Sequence, residues 1–231
     1  MKIPLFDIDG VIISKATNKP HFEACNHIFR SIYNKNASVS EIDADGEIDN
    51  QIIIKVLELH GLSTEMVKKK LKKATKEMGK YFYIHETEEN YVSLAGVKKL
   101  LIELKNRKIP IGVLSGNVET IGWRKIELAG VRKYFDFGAF GDSAFKRVDL
   151  IKIARKKTEK ILNKTVPHKT LVIVGDTPRD IQCGKEGGIA TIGVATGLFS
   201  EAELKKEGAD LIVPSFEKEE NRKRVIDFLS G

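Results

Sequence analysis

Apolar residues in this chain recur with two different periods, and the change between them divides the sequence. From Lys2 to Ile8 the residues are mostly apolar and run into acidic positions and Gly10, which predicts a buried strand meeting a turn. From about Lys15 to Val92 the periodicity is helical, with almost no strand signal. Phe22, Cys25, Ile28 and Phe29 share one helical face, with Pro20 near its start. A second helix is predicted from Asp49, read as its N-cap, through Ile52, Ile53, Val56, Leu57 and Leu59 to an end near Gly61. A third, capped by Ser63, carries Val67, Leu71, Ala74 and Met78 at steps of three or four.

Beyond Gly96 short apolar runs alternate with amphipathic stretches. Strands are predicted at 110–114, 137–140, 171–174, 189–194 and 211–213, with helices between them. Short buried strands alternating with helices predict an α/β fold with a parallel sheet covered on both faces. The helical segment separates the first strand from its companions, so it reads as an insertion. The expected division is a core of 1–14 and 93–231 with an all-helical insert at 15–92.

Composition narrows this picture only a little. The 231 residues are 42% hydrophobic and 31% charged, an ordinary globular balance. The net charge of +7 permits anionic partners without naming one. Cys25 and Cys183 are far apart in sequence and have no metal-ligand spacing, which points to a reducing, cytoplasmic compartment. No apolar run approaches the roughly 20 residues that span a bilayer. Asp7 and Asp9 interrupt the apolar stretch near the start, which argues against a signal peptide. The lysines at 68, 69, 70, 72, 73 and 76 invite a nucleic-acid reading, but the apolar stripe between them makes them the solvated face of a helix. The acidic stretch 41–49 suggests a calcium loop. With Gly46 at loop position six, however, Ile52 falls where a bidentate glutamate is required.

The candidate chemistry collects at strand ends. Ligands of an open parallel sheet bind outside the carboxyl ends of its strands. Those ends carry Asp7 and Asp9, Ser115-Gly116-Asn117, Gly141-Asp142, and Asp176 with Asp180. Carboxylates crowded along one edge repel one another unless a cation sits among them, and oxygen-only donors favour Mg²⁺ over zinc. Ser115 and the following turn offer a hydroxyl and N–H donors to an anion, and Lys146 and Arg147 offer positive charge. Together these groups suit phosphoryl transfer.

Four segments resemble, in order, the motifs of the haloacid dehalogenase superfamily. Phe6-Asp7-Ile8-Asp9-Gly10-Val11 is similar to its D-x-D-G motif, and Val113-Leu114-Ser115-Gly116-Asn117 to the strand ending in Ser or Thr. Lys146-Arg147 before Asp149-Leu150 resembles the basic third motif, and Gly175-Asp176-Thr177-Pro178-Arg179-Asp180 the fourth, G-D-x-x-x-D. The resemblance covers nearly the whole chain. It implies a Rossmann-like core with a C1-type helical cap inserted between the first and second motifs.

The same resemblance implies a Mg²⁺-dependent phosphatase of the phosphoglycolate-phosphatase type, acting on a small phosphorylated metabolite, with neither nucleic acid nor membrane as partner. Asp7 would be the nucleophile that forms an aspartyl-phosphate, and Asp9 the general acid and base. Mg²⁺ would be held by Asp7, the Asp9 backbone carbonyl and Asp176, while Asp180 would orient the metal's water shell or the basic residue. Ser115, Gly116, Asn117 and either Arg147 or Lys146 would bind phosphoryl oxygens. Of these two cations, Arg147 is favoured because some relatives pair arginine with a leucine three residues on, and a guanidinium bridges two oxygens. Gly46-Glu47-Ile48-Asp49 resembles a cap signature, which makes Asp49 and Asn50 candidate substrate contacts. Asp9 argues against dehalogenation, since halide leaves without a proton. A phosphomutase and a phospho-accepting module without turnover remain open alternatives.

Overall fold

Six short strands pair into one all-parallel sheet in the computed structural model, which describes residues 1–14, 19–86 and 91–231. They are β1 (Ile3–Phe6), β2 (Gly112–Ser115), β3 (Phe137–Phe140), β4 (Leu171–Gly175), β5 (Ala190–Val194) and β6 (Leu211–Val213). All six lie where the apolar runs predict them. Their spatial order is β3-β2-β1-β4-β5-β6, so the direction of winding reverses between β1 and β4. Crevices at such a switch point are where this architecture binds ligands.

Side chains alternate across the pleat, and each sheet face buries its own set. Leu5, Leu114, Ala139 and Ile173 meet α6 (Asp149–Leu162) and α7 (Pro178–Glu186) through Leu150, Ile151, Ala154 and Cys183. Phe6, Val113, Phe140 and Val174 face α4 (Val97–Asn106), α5 (Glu119–Leu128) and α9 (Glu219–Ser230). A shorter helix, α8 (Glu201–Lys206), packs beside β5 and β6. The result is three layers with the sheet in the middle.

The remaining helices fall between β1 and β2 in the chain: α1 (Lys19–Ser31), α2 (Asp49–Leu59) and α3 (Thr64–His85). Two details of this segment differ from the sequence expectation. On α1 the buried stripe is His21, Ala24, Cys25, Ile28 and Phe29, and Phe22 is 40% exposed, because the stripe is rotated by about one residue. Asp49 is the first helical residue of α2 rather than its cap; Ile48 holds the cap position, and the Asp49 carboxylate is used elsewhere. Ser63 does cap α3, accepting the Met66 N–H. Part of the predicted insert, residues 15–18 and 87–90, lies outside the described residues.

Candidate active site

Asp7 follows β1 directly, and its N–H donates to the Val174 carbonyl of β4 (2.9 Å), which fixes it at the switch point. Its carboxylate is buried. One oxygen accepts the Ile8 N–H (2.8 Å) and the other accepts Arg147 Nη2 (3.0 Å). Arg147 enters from the loop before α6 and also donates to Asp180 and, through Nη1, to the Gly46 carbonyl (3.1 Å). The third-motif cation that reaches the carboxylates is therefore Arg147. Lys146 is exposed and borders a neighbouring cavity of about 430 Å³.

Burial pushes the Asp7 carboxyl up to about 6; Arg147 opposes this, while Asp180 and Asp9 add to it. Burial also acts on Asp9, but the charge of Lys125 outweighs it, with hydrogen bonds from Lys125 and Asn117, and Asp9 stays below the ordinary carboxylate value. Two carboxylates two residues apart thus sit in contrasting environments.

Asp176 ends β4, and Asp180 lies in the first turn of α7. Thr177 and Asp180 form a reciprocal cap at the start of α7, and the same carboxylate takes the Arg147 bond (2.5 Å). Of the two roles expected for Asp180, orienting the cation is the one this geometry matches. Carboxylate oxygens of Asp7, Asp176 and Asp180 lie within 4.8 Å of one another. Gly10 (φ +89°) and Gly197 flank Asp176 so closely that a Cβ on either would run into its carboxylate. Three buried carboxylates against one guanidinium leave excess negative charge, and every donor is oxygen, so a hard divalent cation fits.

Ser115 closes β2 and accepts the Asn117 side-chain amide (2.8 Å), which also donates to Asp9 Oδ2 (2.8 Å). The Gly116 carbonyl accepts the Asp49 N–H (2.9 Å), and a Cβ at Gly116 would collide with the Glu47 carbonyl. Asp7, Asp9, Ser115, Gly116, Asn117 and Arg147 border one cavity of about 60 Å³, closed on the far side by His21, Phe22, Gly46, Glu47 and Asp49 from the helical insert. Asp49 lines this cavity, but its carboxylate accepts the Val118 N–H (2.6 Å) and faces His21 (3.0 Å). Asn50 stitches insert to core by donating to the Ala144 carbonyl (2.9 Å) and is not part of the lining. Asp142, another strand-end acid, is occupied with the Glu119 N–H at the start of α5 (3.1 Å).

Two buried residues of the site carry no motif. Lys125 of α5 reaches both Asp9 oxygens (2.8 and 2.9 Å), and His21 lies beside its ammonium (3.2 Å). The available signal was placement. Lys125 is four residues from Ile121 on the apolar stripe of α5, and His21 precedes Ala24, Cys25 and Ile28 by three, four and seven.

A three-layer α/β fold thus brings acidic strand ends together beneath a helical segment. The family model described as haloacid dehalogenase-like hydrolase matches residues 4–194, and this chain belongs to that family of enzymes. It is 27% identical over 213 residues to a Clostridium perfringens protein provisionally named pyrophosphatase PpaX, covering 92% of each chain. Among solved structures it resembles a predicted phosphatase from Clostridium acetobutylicum (TM-score 0.67, 20% identity, 98% of each chain). It also resembles a hydrolase from Pseudomonas syringae (TM-score 0.70, 13% identity, all of each chain). Among the described residues no helix is long and apolar enough to cross a membrane.

Proposed function

We propose that this chain is a Mg²⁺-dependent phosphatase that hydrolyses small phosphate monoesters through an aspartyl-phosphate on Asp7. The observation that carries the reading is the single cavity in which Asp7, Asp9, Ser115, Asn117 and Arg147 converge above the Asp7–Asp176–Asp180 cluster.

An Asp7 carboxylate oxygen attacks phosphorus, and the bond to the leaving oxygen breaks while Asp9, whose carboxyl takes up a proton when the phosphate's negative charge arrives beside it, gives that oxygen the proton. Asp9, now anionic, takes a proton from water as its oxygen attacks the same phosphorus. The acyl-phosphate bond then breaks, which releases phosphate and restores Asp7. Arg147, Ser115 and the backbone at Gly116 and Asn117 hold the non-bridging oxygens. Asp7, the Asp9 backbone carbonyl and Asp176 would hold Mg²⁺, and Asp180 orients Arg147. When bound, Mg²⁺ supplies positive charge that offsets repulsion between Asp7 and the phosphate.

Residues 15–92 act as a cap that shuts the site from water, over a core of 1–14 and 93–231. The contacts Asn50 to Ala144 (2.9 Å), Gln51 to Phe145 (2.7 Å) and Arg147 to Gly46 (3.1 Å) support this reading. The direct test is release of inorganic phosphate from a panel of phosphorylated metabolites and an aryl phosphate, with and without Mg²⁺. Metal-dependent turnover by the wild type, lost in Asp7→Asn, is expected. Turnover that survives either change contradicts the reading, and isomerised substrate without phosphate release would mark a phosphomutase.

A further inference from the structure

We propose that Lys125, held by His21 and Asp49 of the helical insert, is the positioning residue that sets the Asp9 carboxylate for proton transfer to the leaving group. The inference rests on the phosphatase reading above and adds a control element that no motif marks.

Lys125 is completely buried on the apolar face of α5, between Ile121 and the Leu128 turn. A methionine or leucine there would pack without the desolvation cost of an ammonium. The lysine instead forks across the Asp9 carboxylate, with Nζ 2.8 Å from Oδ1 and 2.9 Å from Oδ2. Asn117 adds a bond to Oδ2 (2.8 Å), so the plane of the carboxylate is fixed by two separate core elements.

The contacts behind Lys125 have a direction. An ammonium only donates, so His21 Nδ1, 3.2 Å from Nζ, must be the accepting nitrogen. Its proton therefore sits on Nε2, which donates to Asp49 Oδ2 (3.0 Å), and that oxygen also accepts the Val118 N–H (2.6 Å). The sequence Asp49–His21–Lys125–Asp9 thus runs from α2 through α1 to α5 and the β1 loop. Its first two members belong to the insert and its last two to the core. The insert thus bears on the general acid through the ammonium that, with Asn117, orients it.

Orientation of an acid matters most where the leaving group cannot depart without a proton. Comparing kcat/KM for aryl and alkyl phosphates at saturating Mg²⁺ therefore reads Lys125 separately from general damage. Lys125→Met should lose about 10- to 100-fold more on the alkyl ester than on the aryl ester, a share of the 10²- to 10⁴-fold typical of general acid catalysis. KM for the aryl ester should stay within about threefold of wild type, because the phosphoryl contacts are untouched. His21→Gln breaks the same chain from the insert side. It should show the same leaving-group bias at about 3- to 10-fold, and it carries the test if Lys125→Met does not fold.

Equal losses on both esters, or none, in the folded variants would overturn the inference. Asp9→Asn is the reference. If Asp9→Asn shows the bias and neither Lys125→Met nor His21→Gln does, this inference alone fails. If Asp9→Asn shows none, or the wild type turns over neither ester, the assignment of the site fails with it.

Discussion

Arg147 Nη2 lies 3.0 Å from Asp7 Oδ2, and the same nitrogen serves Asp180, so one buried guanidinium joins a carboxylate at the end of β1 to one in the first turn of α7. Both partners of each pair are almost wholly shielded from water. Removing one member of such a buried pair leaves uncompensated charge, at a cost of about 3–5 kcal/mol. Arg147→Ala should therefore lower the unfolding midpoint in denaturant and also raise KM, whereas Lys146→Ala, at an exposed position, should shift stability by less than about 0.5 kcal/mol. Equilibrium urea unfolding of both variants checks this contrast.

The Asp7 carboxyl, raised to about 6 chiefly by burial, makes a signed prediction about pH. An aspartate ionises at about 3.9 when unfolded, so between that pH and 6 the folded protein holds the extra proton. Stability from this group falls as pH rises through that window and stays lower above it. Asp7→Asn cannot ionise. Without divalent metal its melting temperature should therefore lack the fall between pH 4.5 and 7.5 that this group gives the wild type, as read by differential scanning calorimetry.

Bound metal should offset that loss at neutral pH. A ligand that binds only the folded state stabilises it by mass action, so Mg²⁺ should raise the wild-type melting temperature at pH 7.5. Asp176→Ala should lose most of that increase and most of the metal-dependent turnover. Isothermal titration of Mg²⁺ into both proteins measures the loss, expected to be at least about tenfold in affinity.

Gly116 marks where insert and core touch. A methyl group there would meet the Glu47 carbonyl, beside the bond from the Asp49 N–H to the Gly116 carbonyl. Gly116→Ala should lift segment 44–49 and raise KM about 10-fold or more, since misplacement of about 1 Å costs about 10²-fold. Faster limited proteolysis within that segment would accompany it.

Much of this was legible in the sequence. Strand positions were clear because short apolar runs bounded by Gly and acidic residues have few other uses in an α/β chain. That Asp7, Asp9, Ser115 and Asp176 would gather at one edge was legible because strand ends converge there, with Asp180 in the first turn of the helix that follows. The choice between Lys146 and Arg147 depended on one residue of helical phase before α6, which sequence pattern does not fix and burial of Arg147 does. Asp49 was misread as a cap because a carboxylate before an apolar run fits one well; its oxygens are spent on Val118 and His21, partners distant in sequence. Lys125 and His21 were missed for a related reason. Each is a polar residue on an apolar stripe, and only the fold brings the two stripes face to face.

The central claim is that Asp7 becomes covalently phosphorylated, and acid quench during turnover of a fast aryl phosphate with Mg²⁺ tests it most directly. Peptide mass mapping should find one phosphoryl group on the segment carrying Asp7, absent from Asp7→Asn and accumulating in Asp9→Asn, where water attack is slowed. Full turnover with no phosphoryl adduct on that segment, or an adduct that persists in Asp7→Asn, would contradict the account.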